Sequence, residues 1–128
     1  MPMKRDIRET KEAYFNFAFR YNKDEFKGLS VKKFRAALTA ELGIEVAASY
    51  IPLNKCSLYV PLTKPARHKL SDEYWAAIDP ERFDLPVCDQ IHFEGSACIH
   101  HKILMGTKAD MDLVAAAIRK VYDDADNF

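Results

Sequence analysis

Ala13-Tyr14-Phe15-Asn16-Phe17-Ala18-Phe19-Arg20-Tyr21 decides the fold class of this chain. Phe15, Phe17, Phe19 and Tyr21 recur at period two, with Asn16 and Arg20 between them, which is the pattern of a half-buried strand in an antiparallel sheet with one wet side. Working outward, Gly28 breaks the chain and Ser30 is a good helix N-cap. Val31, Phe34, Leu38 and Leu42 follow at spacings of three and four, and Gly43 stands where a left-handed residue ends a helix. The spacing therefore predicts a helix over Val31–Leu42.

Ile44 to Tyr50 reads as a second strand, stopped by Pro52. From Ile51 to Arg67 the chain carries Pro52, Pro61 and Pro65 among polar residues, so a long ordered loop is expected. Ser71 caps a short helix through Tyr74, Trp75 and Ile78, ended by Pro80. Asp84, with Pro86 in the first turn, opens another helix with Val87 and Ile91 on one face, closed by Gly95. Ala97 to Leu104 reads as a third strand. Thr107 and Asp110 form a capping box with Asp in place of the preferred Glu, ahead of a last helix through Met111, Val114, Ile118 and Val121. The order β-α-β-loop-α-α-β-α predicts an α+β, two-layer domain, a small mainly antiparallel sheet packed against helices. Residues 1–12 read as a polar N-terminal arm and 13–128 as the single domain.

Composition narrows the function classes. The chain has 128 residues, 48% hydrophobic, which suits one domain with a real core. Nineteen basic and nineteen acidic residues cancel, leaving no global field for nucleic acid or for recruitment to a membrane surface. No apolar run reaches the roughly twenty residues that span a bilayer, and no signal-type stretch follows the charged start. Cys56, Cys88 and Cys98 are an odd number without a CxxC pair, which points to a reducing, cytoplasmic setting with buried free thiols.

The chemistry-bearing residues form no self-contained centre. His92, Cys98, His100 and His101 lie close in sequence. On a strand, Cys98 and His100 share one face and His101 takes the other. Zinc needs three or four convergent ligands, so histidines hydrogen-bonded at a sheet edge are the favoured reading and no metal is assigned. Cys88 and His92 could share a helix face as a nucleophile pair, but nothing marks an oxyanion hole. Asp72, Glu73 and Asp89 sit near helix N-termini, where carboxylates favour the dipole. Lys32, Lys33 and Arg35 read as a solvated helix face. Lys64, Arg67, His68 and Lys69 make a denser basic cluster that could meet a phosphate or an acidic partner. No glycine-rich loop follows a strand.

Glu41-Leu-Gly-Ile-Glu45, Tyr50-Ile-Pro52-Leu53-Asn54 and Leu58-Tyr59-Val60-Pro61 carry a family resemblance. Together with the strand Tyr14–Tyr21, the helix Val31–Leu42, Leu85-Pro86, His100-His101-Lys-Ile-Leu-Met-Gly106, Asp110-Met-Asp112 and Ala117-Ile118-Arg-Lys120-Val121, they resemble the carboxy-terminal small domain of DegT/StrS-type aminotransferases, over roughly residues 13–125. Ser49 stands where several sugar-acting members have His before the Tyr-x-Pro motif. The resemblance implies the fold of the carboxy-terminal domain of fold-type-I aminotransferases. It also implies a pyridoxal-phosphate enzyme that moves an amino group to a keto sugar or keto cyclitol. Ser49, Tyr50, Asn54, His100 and His101 are then the candidate substrate-binding residues, orienting rather than reacting. The family's Schiff-base lysine and cofactor-gripping aspartate belong to a large domain preceding this one. No catalytic or cofactor-binding residue, and no bound cofactor, is therefore expected in the isolated chain. A homo-oligomer or a separate pyridoxal-phosphate-binding large domain is expected to cover the face left open. The alternative is a non-catalytic binding module that reuses this domain.

Overall fold

The computed structural model describes residues 6–11, 13–59, 67 and 69–128. Three strands make one antiparallel sheet in the order β1-β3-β2, with β1 at Asn16–Arg20, β2 at Val46–Ala47 and β3 at Ser96–His100. Among the described residues five α-helices accompany it: α1 Val31–Leu42, α2 Asp72–Ala77, α3 Pro86–Gln90, α4 His101–Leu104 and α5 Lys108–Asp123. The α+β, two-layer expectation is met, with α1 lying on β2 and β3 and against α5.

The α1 boundaries fall where the sequence places them. Ser30 accepts from the Lys33 amide at the start, and Gly43, at φ 64°, ends the helix with its N–H on the Thr39 carbonyl. Its apolar stripe supplies Val31, Phe34, Ala37 and Leu38 to the core, where Tyr21, Leu29, Val46, Ala97 and Val121 meet them. Phe34 and Leu38 are sealed from water, a burial that stabilises by about 1.5–3 kcal/mol for each such side chain. The Tyr21 hydroxyl donates to the Leu29 carbonyl at 2.7 Å, and burial pushes its phenol up to about 12.

β1 alternates as predicted over Phe17 to Arg20, with Ala18 and Arg20 exposed. It is shorter than the Ala13–Tyr21 reading, because Tyr14 and Phe15 lie outside the ladder and are exposed. Phe17 pairs with Ile99 and Phe19 with Ala97. One further bond extends the pairing at each end, Tyr21 N–H to the Gly95 carbonyl and His101 N–H to the Phe15 carbonyl. β3, the middle strand, is buried on successive residues Ser96, Ala97, Cys98 and Ile99, as a strand covered on both faces must be.

Several segments depart from expectation. The second strand shrinks from Ile44–Tyr50 to two residues. The Val46 amide is taken by the Thr39 hydroxyl, and the Ser49 amide turns to the Ser96 side chain instead of a ladder carbonyl. The third strand stops at His100, not Leu104. There His100 acts as N-cap of α4, its Nδ1 accepting from the Lys102 amide, and the apolar Ile103 and Leu104 are helical. The expected long loop contains tight 3₁₀ turns at Leu53–Lys55 and Ser57–Tyr59; residues 60–66 lie outside the described residues. α2 begins at Ser71 as read, and Pro80 opens a further 3₁₀ turn, Pro80–Arg82. The N-cap of α3 is Leu85 rather than Asp84, and a wider π-helical turn, Ile91–Gly95, extends this helix to the predicted glycine. The capping box at α5 is complete: the Thr107 hydroxyl accepts from the Asp110 amide, and the Asp110 carboxylate accepts from the Thr107 amide.

Candidate functional site

The five candidate residues divide between two places. Ser49 follows β2 and is held at three atoms. Its N–H donates to Ser96 Oγ at 3.1 Å, its Oγ accepts from Ser96 Oγ at 3.0 Å, and its carbonyl accepts from His92 Nδ1 at 2.6 Å. Tyr50, the next residue, projects outward with 79% of its surface exposed. Asn54, in the first 3₁₀ turn, donates from Nδ2 to the Phe83 carbonyl at 2.8 Å. Its Oδ1 is buried with no hydrogen-bond partner among the described residues. Lys55 pins the same turn to α3 through Asp89 at 2.6 Å and lies 5.3 Å from the Phe93 ring centroid. Around this segment Ile51, Leu53, Leu58 and Phe83 are exposed.

His100 and His101 occupy the other place. Their ring centroids are 4.2 Å apart, and the exposed Phe15 ring lies against both. Because α4 starts at His101, the two imidazoles are neighbours and do not point to opposite sheet faces as a continuing strand would require. His101 Nδ1 meets the Phe15 carbonyl at 3.0 Å. Ser96, which holds Ser49, and His100 stand at opposite ends of β3; four residues of strand put them roughly 13 Å apart. The structure thus joins Ser49, Tyr50 and Asn54 in one region and His100 with His101 in another.

Desolvation, with lesser contributions from His101 and Lys102, holds the His100 imidazole below the usual histidine range. A histidine depressed in the fold contributes stability that is present above its unfolded value of about 6.5 and is lost as pH falls below it. An NMR titration of the imidazole Cε1–H signals is expected to place the His100 midpoint below that of an unfolded-peptide histidine; an equal or higher midpoint contradicts the packing of these rings.

Other candidates are dispersed. Among the described residues no group of three or more His, Cys, Asp and Glu side chains could hold a metal ion. The His92 Nδ1 is committed to the Ser49 carbonyl, and Cys88 is exposed. Of the three thiols only Cys98 is buried, and burial pushes it up. Lys32 and Lys33 are solvated as expected, but Arg35 is not: half-buried, it donates to the His92 and Ser96 carbonyls at 3.4 and 3.3 Å. Arg67 and Lys69 are exposed, whereas Lys64 and His68 lie outside the described residues. An open groove of ≈ 830 Å³ has Arg20, Lys23, Asp24 and Glu94 among its lining residues and includes none of the five candidates.

Pyridoxal phosphate needs a lysine amine that can lose its proton near neutrality, a state reached by desolvation or a neighbouring cation. Every described lysine is exposed. Lys27, Lys55, Lys108 and Lys120 are paired with carboxylates, which holds the ammonium of Lys27 and Lys120 above the usual range. The described residues do not by themselves fit this coenzyme.

His92, Ser96, Arg35 and Phe15 complete the two places, and sequence reading did not assign them there. His92 was read as a possible ligand or base and, by preference, as a hydrogen-bonded histidine at a sheet edge, without its Ser49 partner; Ser96 gave no signal beyond following a glycine.

Comparison with known proteins returned no matching family model. The chain is 38% identical over 112 residues to L-glutamine:2-deoxy-scyllo-inosose aminotransferase of Streptoalloteichus tenebrarius, which covers 88% of this chain and 26% of that protein. The enzyme of the same name from Streptomyces fradiae is 37% identical over the same shares of each chain. L-glutamine:scyllo-inosose aminotransferase of Streptomyces griseus is 34% identical, over 90% of this chain and 27% of its own. The chain spans about a quarter of the length of these relatives. No helix among the described residues is long and apolar enough to cross a membrane.

Proposed function

We propose, from the premise that this chain is homologous to one part of the DegT/StrS-type aminotransferases, that it serves as the carboxy-terminal small domain of such an enzyme and forms the substrate side of its active site. The reaction is transfer of an amino group from an amino-acid donor, glutamine in the relatives' names, to a keto cyclitol of the inosose kind. The observation that carries this reading is the match itself, which takes in nearly all of this chain and only a quarter of each relative. Pyridoxal phosphate, the electron sink of such a reaction, would be gripped by the part not represented here. The exposure and ion pairing of the described lysines support that division.

The partner in this reading is a coenzyme-bearing large domain, with self-association of this chain as the alternative cover. The exposure of Tyr50, Ile51, Leu53, Leu58 and Phe83 supports it, since clustered exposed apolar side chains mark interaction sites. The cytoplasm is the proposed compartment, in keeping with the free thiols of Cys56, Cys88 and Cys98.

Mixing the purified chain with pyridoxal phosphate is expected to give no absorbance band of covalently held coenzyme and no transamination. Adding the separately produced lysine-bearing remainder of a relative is expected to restore amino transfer from glutamine to scyllo-inosose. Covalent capture of the coenzyme by the chain alone overturns this reading. A mixture that binds but does not transaminate favours the non-catalytic binding module instead.

A further inference from the structure

A cluster of three hydrogen bonds among Ser49, His92 and Ser96 lies directly beneath the most exposed of the candidate residues. We propose that His92 and Ser96 are positioning residues that clamp the Ser49 backbone and so fix the direction in which Tyr50 leaves the domain. The inference rests on the small-domain reading for the use to which Tyr50 is put, but the clamp itself can be measured without it.

Three observations carry it. First, hydrogen bonds hold Ser49 on both sides of its Cα. Ser96 Oγ accepts from the Ser49 amide and donates its own proton to Ser49 Oγ, and His92 Nδ1 takes the carbonyl. Since a carbonyl only accepts, Nδ1 must carry the proton, which assigns the His92 tautomer or its cation. Second, burial changes abruptly along the chain. Ser96 is 4% exposed and Ser49 half-buried, whereas Tyr50 is 79% exposed. A side chain that reaches into open space gets its direction from the backbone beneath it, and here that backbone is anchored. Third, the clamp residues are themselves held. The Arg35 guanidinium reaches from α1 to the carbonyls of both His92 and Ser96. The π-helical turn after α3 and β3 therefore hold the two peptide units that flank the Ser49 Cα, and α1 braces both from behind.

The function of such an arrangement is preorganisation: a contacting group held in place before the substrate arrives loses less freedom on binding. His92 and Ser96 need not touch the substrate for this. Their effect passes through Tyr50.

Amide exchange by NMR on the 128-residue chain tests the clamp. The Ser49 amide is expected to exchange slowly, and Ser96→Ala to speed it roughly 3–10-fold, the loss of one hydrogen bond. His92→Gln, which keeps a donor, should hold the Ser49–Tyr50 segment more nearly as in the parent than His92→Phe, which has none. Melting of each variant separates local loosening from a general loss of fold. An unchanged Ser49 exchange rate in Ser96→Ala overturns the clamp.

In the enzyme reassembled with the large domain of a relative, Ser96→Ala and His92→Phe are expected to raise KM for the keto cyclitol severalfold with the coenzyme spectrum unchanged. His92→Gln should recover part of that loss. If the variants loosen Ser49 yet leave KM as it was, the positioning role is overturned. If the parent chain supports no transamination even when reassembled with the large domain, the small-domain reading falls, while amide exchange still decides whether the clamp exists.

Discussion

Phe34→Ala is expected to remove about 3–5 kcal/mol of folding stability, the largest loss from any single truncation in this core. The side chain is 1% exposed and sits among the rings of Tyr21, Phe26 and Phe19, at centroid distances of 4.5, 4.9 and 6.4 Å. Truncation gives up the transfer energy of the ring, leaves a hole that Leu38 and Val121 cannot fill without moving, and breaks three aromatic contacts that add to area burial. Domains of this size have only about 5–15 kcal/mol in all, so at least about a fifth of the total is at stake. Urea unfolding followed by far-UV circular dichroism measures it. Leu113→Ala, on the 66% exposed flank of α5, is the control and should stay within about 0.5 kcal/mol of the parent. A Phe34→Ala loss as small as the control's contradicts the placement of α1 against the sheet.

Tyr50→Ala is expected to do the reverse. With its ring out of the core, the substitution should leave stability within about 0.5 kcal/mol of the parent. In the reassembled aminotransferase it should lower kcat/KM for the keto cyclitol at least about tenfold, equivalent to about 1.4 kcal/mol of lost transition-state stabilisation. Tyr50→Phe divides the effect between ring and hydroxyl. A variant that folds, assembles and turns over within twofold of the parent removes Tyr50 from the substrate pocket.

The contrast between these two residues also explains what could be read from the chain beforehand. α1 was legible in full because its signals are local and mutually consistent: a cap at Ser30, a stripe of apolar residues, a left-handed end at Gly43. The capping box of α5 was legible for the same reason. β2 and the end of β3 were not, since they depend on partners distant in sequence. The Ser49 amide is claimed by Ser96, forty-seven residues away, and no period-two pattern registers that. His100 capping its own successor is local, but Ile103 and Leu104 read equally well as strand or helix, and apolar content alone does not choose. Arg35 was misread because its neighbours Lys32 and Lys33 are solvated, while its guanidinium finds two carbonyls on a helix and strand far along the chain. The family motifs nominated Tyr50 and the histidine pair as candidates, but did not show that a strand keeps them apart.

That strand acts as a ruler. With Ser49 fastened at its Ser96 end and the stacked imidazoles at its His100 end, it sets the two backbone anchors roughly 13 Å apart. A one-residue slip of β3 against its neighbours would therefore displace both groups together.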